Sequence, residues 1–459
     1  MKSYPLKLAL VGALVIVASL LVVARETGPS WAVYQDRRHA AAGDGERGPQ
    51  VISVIVAATG TQELCLTCHD GIEETSSSHP VELGCTVCHG GQPLALDADV
   101  AHQGLVGKAN PSSLDVAARG CGDLGPGGEK CHGGGDMDRD HVARVTRSLQ
   151  ATYTGGINTV LKTFTGFDQP VGTTAIARDE RVRDGLPGVV ALTTVAHGTG
   201  RVATTASDLE ESCIDDGCHL STTGGEVTGS VGHAAGCAAC HVARTDDEKY
   251  AGDDPTMQGR TVSGGGTHEF TTAIPFEQCN TCHNRGIYDL RGLEFYPRDD
   301  VGLAEIAAGS PASYYRPNER YAACEVNLNC IDCHTQAEAM GDGRLLPDKT
   351  EAQKTRCLNC HGTPTDPPPT RVVLPSDSTL LALGRASAVY EVRVGDRLAT
   401  AGGANVLSSA QWIGDVLVVT DKVDGARHEV PPVRGSACEQ DGSSQGSDYC
   451  HTCHYQEAG

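Results

Sequence analysis

Seven times in 459 residues the sequence repeats Cys-x-x-Cys-His, and no other feature constrains the fold as tightly. The copies are "CLTCH" 65–69, "CTVCH" 85–89, "CAACH" 237–241, "CNTCH" 279–283, "CIDCH" 330–334, "CLNCH" 357–361 and "CHTCH" 450–454. Two thiols at this spacing can form thioethers with the two vinyl groups on one edge of a porphyrin. The next His then swings under the ring to ligate iron. Zinc sites pair one C-x-x-C with another and need no His after each second Cys. Thioredoxin-like motifs lack that His and occur once per domain. The reading is therefore covalent haem on Cys65, Cys68, Cys85, Cys88, Cys237, Cys240, Cys279, Cys282, Cys330, Cys333, Cys357, Cys360, Cys450 and Cys453.

Two further stretches keep the terminal Cys-His but lengthen the middle. "CIDDGCH" 213–219 separates Cys213 from Cys218 by four residues and lies 24 residues before "CAACH". The first two motifs are 20 apart, so the chain repeats a two-site unit. "CGDLGPGGEKCH" 121–132 puts nine residues between Cys121 and Cys131, four of them Gly and one Pro, which suits a loop that bulges out and returns. Both are counted as sites, giving nine in all. The alternative for 121–132 is a disulfide, or attachment through Cys131 alone. Cys324 and Cys438 are left over, and a disulfide between them would stabilise by about 2–4 kcal/mol.

The histidines divide in the same proportion. Nine end a site: His69, His89, His132, His219, His241, His283, His334, His361 and His454. Nine do not: His39, His79, His102, His141, His197, His233, His268, His428 and His451. Six-coordinate iron needs one more ligand, and a second imidazole gives a low-spin haem suited to electron transfer. His79, His233 and His268 lie just upstream of motifs, and His102 and His141 sit where a neighbouring haem is within reach. These five are the stronger distal candidates. His39, His197, His428 and His451 are weaker ones, and Met137, Met257 and Met340 are poorer alternatives.

These residues resemble the multihaem c-type cytochromes of bacterial periplasms and outer surfaces. "CLTCHDGIEETSSSHPVELGCTVCHGGQPLALDADVAH" is similar to a recurring two-haem module with His79 and His102 at distal positions, and "CNTCHNRG" with His268 upstream resembles another. The likeness spans roughly 39–361 and 438–454. It implies a mostly irregular and α-helical cytochrome fold organised around a chain of haems, here about nine haem c groups. The 121–132 and 213–219 sites depart from the family's usual spacing.

Composition agrees with a core built from cofactor. The chain has 5 Phe and 2 Trp against 56 Gly, too little aromatic material for its length. A net charge of −22 excludes a phosphate-binding surface, hence nucleic acid as a partner. It keeps the protein soluble, or serves as an acidic face for a basic redox partner. At the N-terminus Lys2 and Lys7 precede an apolar run, Leu8–Ala24, of 17 residues. This reads as a cleaved signal with Val22 and Ala24 at −3 and −1, the alternative being a retained membrane anchor through 8–24. Both place the body outside the cytoplasm, in the periplasm or at the cell surface.

The expected organisation follows from where the sites fall: 1–24 signal or anchor, 25–145 a three-haem region, 146–212 a haem-free connection, 213–364 a five-haem region, 365–435 a small β-rich insert, and 436–459 the last site. In the connection's approach, "HVARVTRSLQATY" has Val142, Val145 and Leu149 at helical spacing, ended by the Gly155–Gly156 pair. Arg139, Arg144 and Arg147 read as a solvated face, or as partners for propionates. "RVVL", "TLLAL", "AVYEVRV" and "DVLVVTD" read as short strands. The leading function is electron transfer along the haems, with redox proteins or other cytochrome subunits as partners and no substrate chemistry of its own. A reductase or oxidase of a small nitrogen or sulfur species is the alternative, against which stand the matched histidines and the lack of a C-x-x-C-K variant. A homo-oligomeric extracellular filament is a further one.

Overall fold

The computed structural model describes residues 13–17, 29–43, 45, 47–122, 130–134, 139–165, 174–176, 189–192, 198–212, 220, 236–243, 249–260, 266–279, 296–297, 315–316, 320–321, 324, 327–347, 349–438, 450, 454 and 456–457. Among these residues no helix is long and apolar enough to cross a membrane. Regular structure is sparse and short over 47–122, where single turns, Gly-rich bends and two-residue strands alternate. Helices of useful length appear at α1 (Ala32–Ala42), α2 (His141–Arg147), α3 (Thr154–Thr165) and α4 (Arg201–Ser212).

The apolar core of this part is small, as the composition predicts. Leu114, Val145, Ala151, Leu220 and Ala239 form one buried cluster with Met340 packed against it. Contributions come from residues 114 to 340, so packing runs across the expected boundaries at 145/146 and 212/213. Two specific bonds do the same. The Arg144 side chain, 4% exposed, donates from Nε to the Gly341 carbonyl at 2.7 Å. Asn158 donates from Nδ2 to the Pro347 carbonyl at 2.8 Å.

Two local expectations need correcting here. The helix beginning at His141 stops at Ser148 rather than at Gly155–Gly156, which lie inside α3. Ser148 turns out to extended backbone and its hydroxyl bonds back to the Val145 carbonyl, so a side-chain acceptor contest ended the helix early. Nor is Arg144 on a solvated face, because its guanidinium is drawn inward by the Gly341 carbonyl.

Residues 370–429 form a five-stranded antiparallel meander: β1 (Thr370–Val372), β2 (Arg397–Gly402), β3 (Asn405–Ile413), β4 (Val416–Thr420) and β5 (Arg427–Glu429). Register is set by pairs such as Ala410↔Val419 and Trp412↔Leu417, with a two-residue turn at Gly414, whose φ of 64° a β-branched residue would resist. "RVVL" and "DVLVVTD" contribute β1 and β4. "TLLAL" does not form a strand: it lies in α5 (Ser378–Ala386), and "AVYEVRV" is irregular. Apolar residues at 380, 381 and 383 fit a helical stripe as well as a strand, and a short apolar run cannot by itself tell the two apart.

The sheet is covered on both faces, each by a different partner. On one, Val373, Val392, Leu398 and Val406 pack with Leu380 and Leu381 of α5 and with Tyr390. On the other, Ala399, Leu407, Ala410, Leu417 and Val419 pack with Leu328, Cys360, Trp412 and Val430. Polar bonds fix this second face onto the motifs. Asn329 donates to the Asp421 carboxylate (2.9 Å), the Lys422 amide to Asp332 (2.9 Å), Thr335 to Asn405 (3.0 Å), and Asn359 to the Thr400 carbonyl (3.2 Å). The sheet is thus a plate holding residues 328–335 and 357–361 in place. Leu407, 1% exposed, sits at its centre. Leu407→Ala is expected to lower stability by about 2–5 kcal/mol, read from urea unfolding followed by the fluorescence of Trp412 on the same strand.

Candidate functional site

The compact motifs at 65–69, 237–241, 330–334 and 357–361 are each one helical turn, and at 450–454 the same bond joins the two end residues. The His amide donates to the carbonyl of the first Cys at 3.1 Å in 65–69, 3.0 Å in 237–241, 2.8 Å in 330–334 and 2.9 Å in both 357–361 and 450–454. Residues 85–89 form a short helix of their own. Positions three and four apart share a helix face, so both sulfurs and the imidazole leave from one side. The stretched motif reproduces the same bond: the His132 amide donates to the Cys121 carbonyl at 3.1 Å, and the Cys131 amide to the Gly122 carbonyl at 2.9 Å. The intervening loop is closed off at its base, and both Cys121 and Cys131 lie within electrostatic reach of Cys88.

The imidazoles meet in pairs that join motif to non-motif residues. Ring centres are 6.2 Å apart for His69–His102, 6.0 Å for His89–His268 and 5.7 Å for His132–His141. His79 stacks on His132 at 5.9 Å, and His241 is within electrostatic reach of both His132 and His141. Two imidazoles bonded through nitrogen to opposite sides of one metal ion, at about 2 Å each, hold their ring centres roughly 6 Å apart. Four motif residues (His69, His89, His132, His241) are therefore gathered with four others (His102, His268, His79, His141). His268 faces the motif at 85–89, not the motif just downstream of it, and His79 faces His132 rather than its neighbour His89.

In five of the imidazoles Nδ1 is bonded to protein, as a ligand imidazole requires, whereas in His141 it is buried without a partner. Nδ1 donates to the Thr271 carbonyl from His241 (2.9 Å), to the Pro431 carbonyl from His361 (2.8 Å) and to the Glu73 carbonyl from His268 (3.1 Å). His69 Nδ1 bonds the Asp254 carboxylate at 2.7 Å and the Thr256 hydroxyl at 3.0 Å, and His79 Nδ1 bonds Ser76 at 2.9 Å. A donor Nδ1–H fixes the tautomer and leaves the Nε2 lone pair for a metal. Burial pushes His89 and His141 down to about 4, so both rings are neutral near pH 7.

Sulfurs of different motifs touch. Thiol contacts join Cys85 to Cys65, Cys121 to Cys237, Cys330 to Cys279, and Cys450 to Cys357. Electrostatic reach adds Cys88 to Cys121, Cys240 to Cys279, and Cys333 to Cys360. The described motifs thereby form one row in chain order from 65 to 450. All described cysteines are free thiols, and Cys324 and Cys438 both lie within reach of Cys450. Burial pushes Cys88 and Cys240 up to about 11 and Cys360 up to about 12.

Of the other expected ligands, His428 lies on β5 opposite Val419, hence on the sheet face that packs against Cys360, and its Nε2 is buried without a hydrogen-bond partner. His39 sits beside Asp70 at 3.7 Å, in a polar cavity lined by Gln35, Arg38 and Gln50, with Nδ1 buried and unbonded. His334 is half-exposed, with Glu338 at 4.0 Å. Cys213, Cys218, His219, His233, His197, Cys282, His283, His451 and Cys453 lie outside the described residues.

Sequence reasoning did not find the acidic groups. Glu63, 1% exposed, accepts the Cys85 and Thr86 amides at 2.7 and 3.1 Å and so caps the second motif. Its carboxylate lies within 4.8 Å of the Cys65 and Cys85 sulfurs, a grouping that could hold a metal ion. Both sulfurs also belong to haem-type motifs, and the carboxylate is already bonded as a cap. Glu73 accepts the Tyr250 hydroxyl (2.8 Å), the Asp253 amide (2.7 Å) and the His268 amide (3.1 Å). Burial alone would raise the Glu73 carboxyl, but these three bonds outweigh it and hold it below its usual range. No motif marks either residue. Glu73→Ala is expected to cost about 1–3 kcal/mol by stranding three donors, measured as a lowered midpoint in chemical denaturation.

Compared with known proteins, the chain matches no family model, no curated protein and no solved structure.

Proposed function

We propose that the chain carries a row of about nine covalently attached c-type haems and passes electrons along it, as the multihaem cytochromes it resembles do. The observation that carries this reading is the pairing of imidazoles. Three motif His (His69, His89 and His132) meet four non-motif His (His102, His268, His141 and His79) with ring centres 5.7–6.2 Å apart, a separation that suits one iron between two rings. The tautomers agree, since Nδ1 is bonded to protein in His69, His79, His241, His268 and His361.

Bound at these motifs, haem supplies one-electron iron chemistry, and the protein supplies attachment, orientation and burial. The helical turn of each fully described motif aims two thiols and one imidazole the same way. The carbonyls of Thr271, Pro431 and Glu73 orient the rings. Contacts between the thiols of different motifs keep the attachment points adjacent, which is the arrangement a relay needs. At His69, His89 and His132 a haem would find a second imidazole and no position for a substrate, which favours a carrier over a reductase. The reading extends to an exported protein in the periplasm or at the cell surface, handing electrons to redox proteins or to further cytochrome subunits.

Intact mass of the holo-protein tests attachment, with about nine haems expected and an unmodified chain overturning the proposal. His268→Ala should keep that mass while converting one haem to a high-spin optical signature. A spectrum identical to wild type would contradict the pairing, and a high-spin band already present in wild type would favour a reductase. The 121–132 site has its own test. Cys121→Ser should weaken attachment there or leave a single thioether, seen by peptide mass mapping. Two intact thioethers in that variant would remove the site from the count.

A further inference from the structure

Of the Nδ1 bonds given above, that of His69 ends on a buried carboxylate. Asp254 is 0% exposed and lies 185 residues further along the chain, with Oδ2 at 2.7 Å from His69 Nδ1. Its other oxygen is not idle, because Oδ1 accepts the Thr256 amide at 2.8 Å. Its own amide donates to the Tyr250 hydroxyl at 3.1 Å, and Tyr250 in turn donates to Glu73. The Thr256 amide therefore holds the carboxylate, and Tyr250 holds the backbone that carries it. His241, His268 and His361 instead present Nδ1 to neutral carbonyls.

The difference has a chemical consequence. A charge-assisted bond is roughly twice as strong as a neutral one, and a carboxylate behind a ligating imidazole raises the basicity of the nitrogen facing the metal. A more basic ligand favours the more highly charged oxidised ion. We propose that Asp254 is a potential-setting, positioning residue that holds the iron at His69 at a lower reduction potential than its own bis-imidazole pairing with His102 would give. The couple concerned is Fe(III) plus one electron to Fe(II), the electron coming from the preceding donor in the cell and from dithionite in the test. This rests on the haem reading of the 65–69 motif.

The test is an optical redox titration of the full holo-protein, with haem number checked by intact mass. Asp254→Asn keeps the shape of the side chain and removes its charge. One component of the titration is expected to move to higher potential, by about tenfold in the ferrous-to-ferric ratio at fixed potential, or about 59 mV for one electron. Thr256→Val, which removes the neutral hydroxyl partner, is expected to leave that component within a third of this shift. An unchanged titration of Asp254→Asn at full haem mass overturns the proposal, as does an equal shift in Thr256→Val. If Asp254→Asn loses haem, Asp254→Ser is titrated in its place and must show the same rise. Loss of haem from both would make Asp254 a folding residue and overturn the assignment. A wild-type protein with no covalent haem refutes the motif reading instead, and the two failures are told apart by mass alone.

Discussion

Three donors converge on Glu73, four residues beyond the first motif, and much of the N-terminal half depends on that convergence. The Tyr250 hydroxyl, the Asp253 amide and the His268 amide all bond its carboxylate. One side chain thereby pins a loop from the middle of the sequence against the start of it. The loop delivers two functional groups at once, Asp254 to His69 and His268 to His89. A carboxylate that accepts three bonds while partly buried is worth more than a surface ion pair, because the buried Tyr250 and half-buried His268 donors would otherwise lose their partner.

The second half is organised by a different means. The five-stranded meander has apolar residues on both faces, and it packs α5 on one and the 328–335 and 357–361 segments on the other. Hydrogen bonds from Asn329, Thr335 and Asn359 fix those segments at their polar positions. In the first half, by contrast, short turns are held by side-chain carboxylates and by imidazole pairs, with little apolar packing. Among the described residues of this chain, with its 5 Phe and 2 Trp, the apolar clusters are small in both halves.

Local chemistry was legible in the sequence and non-local pairing was not. The C-x-x-C-H turns need only five consecutive residues, so their geometry follows from spacing, and the Gly-rich insert of 121–132 fits a closed base. The spare histidines singled out by count include His79, His102, His141 and His268, whose rings lie beside motif imidazoles. Which His meets which motif could not be read, because His268 reaches back 179 positions to His89 and His141 lies beside both His132 and His241. Asp254, Glu63 and Glu73 sit in no pattern at all, since a buried carboxylate is recognised only by the donors folded around it. The strand reading of "TLLAL" failed for a plainer reason: four apolar residues in five satisfy both periods, and the tertiary contact with Leu398 and Val406 chose the helix.

The reach of Asp254 and His268 also bears on the order of biosynthesis. A chain made from its N-terminus exposes Cys65, Cys68 and His69 first, with Asp254 still 185 residues from synthesis. The first two motifs are complete as peptides early, yet the residues that surround their imidazoles arrive only once more than half of the chain has been made. Any factor that joins cofactor to these cysteines as they emerge acts on an open turn, before His268 can cover the second site. The motifs made earliest are among the latest to be enclosed.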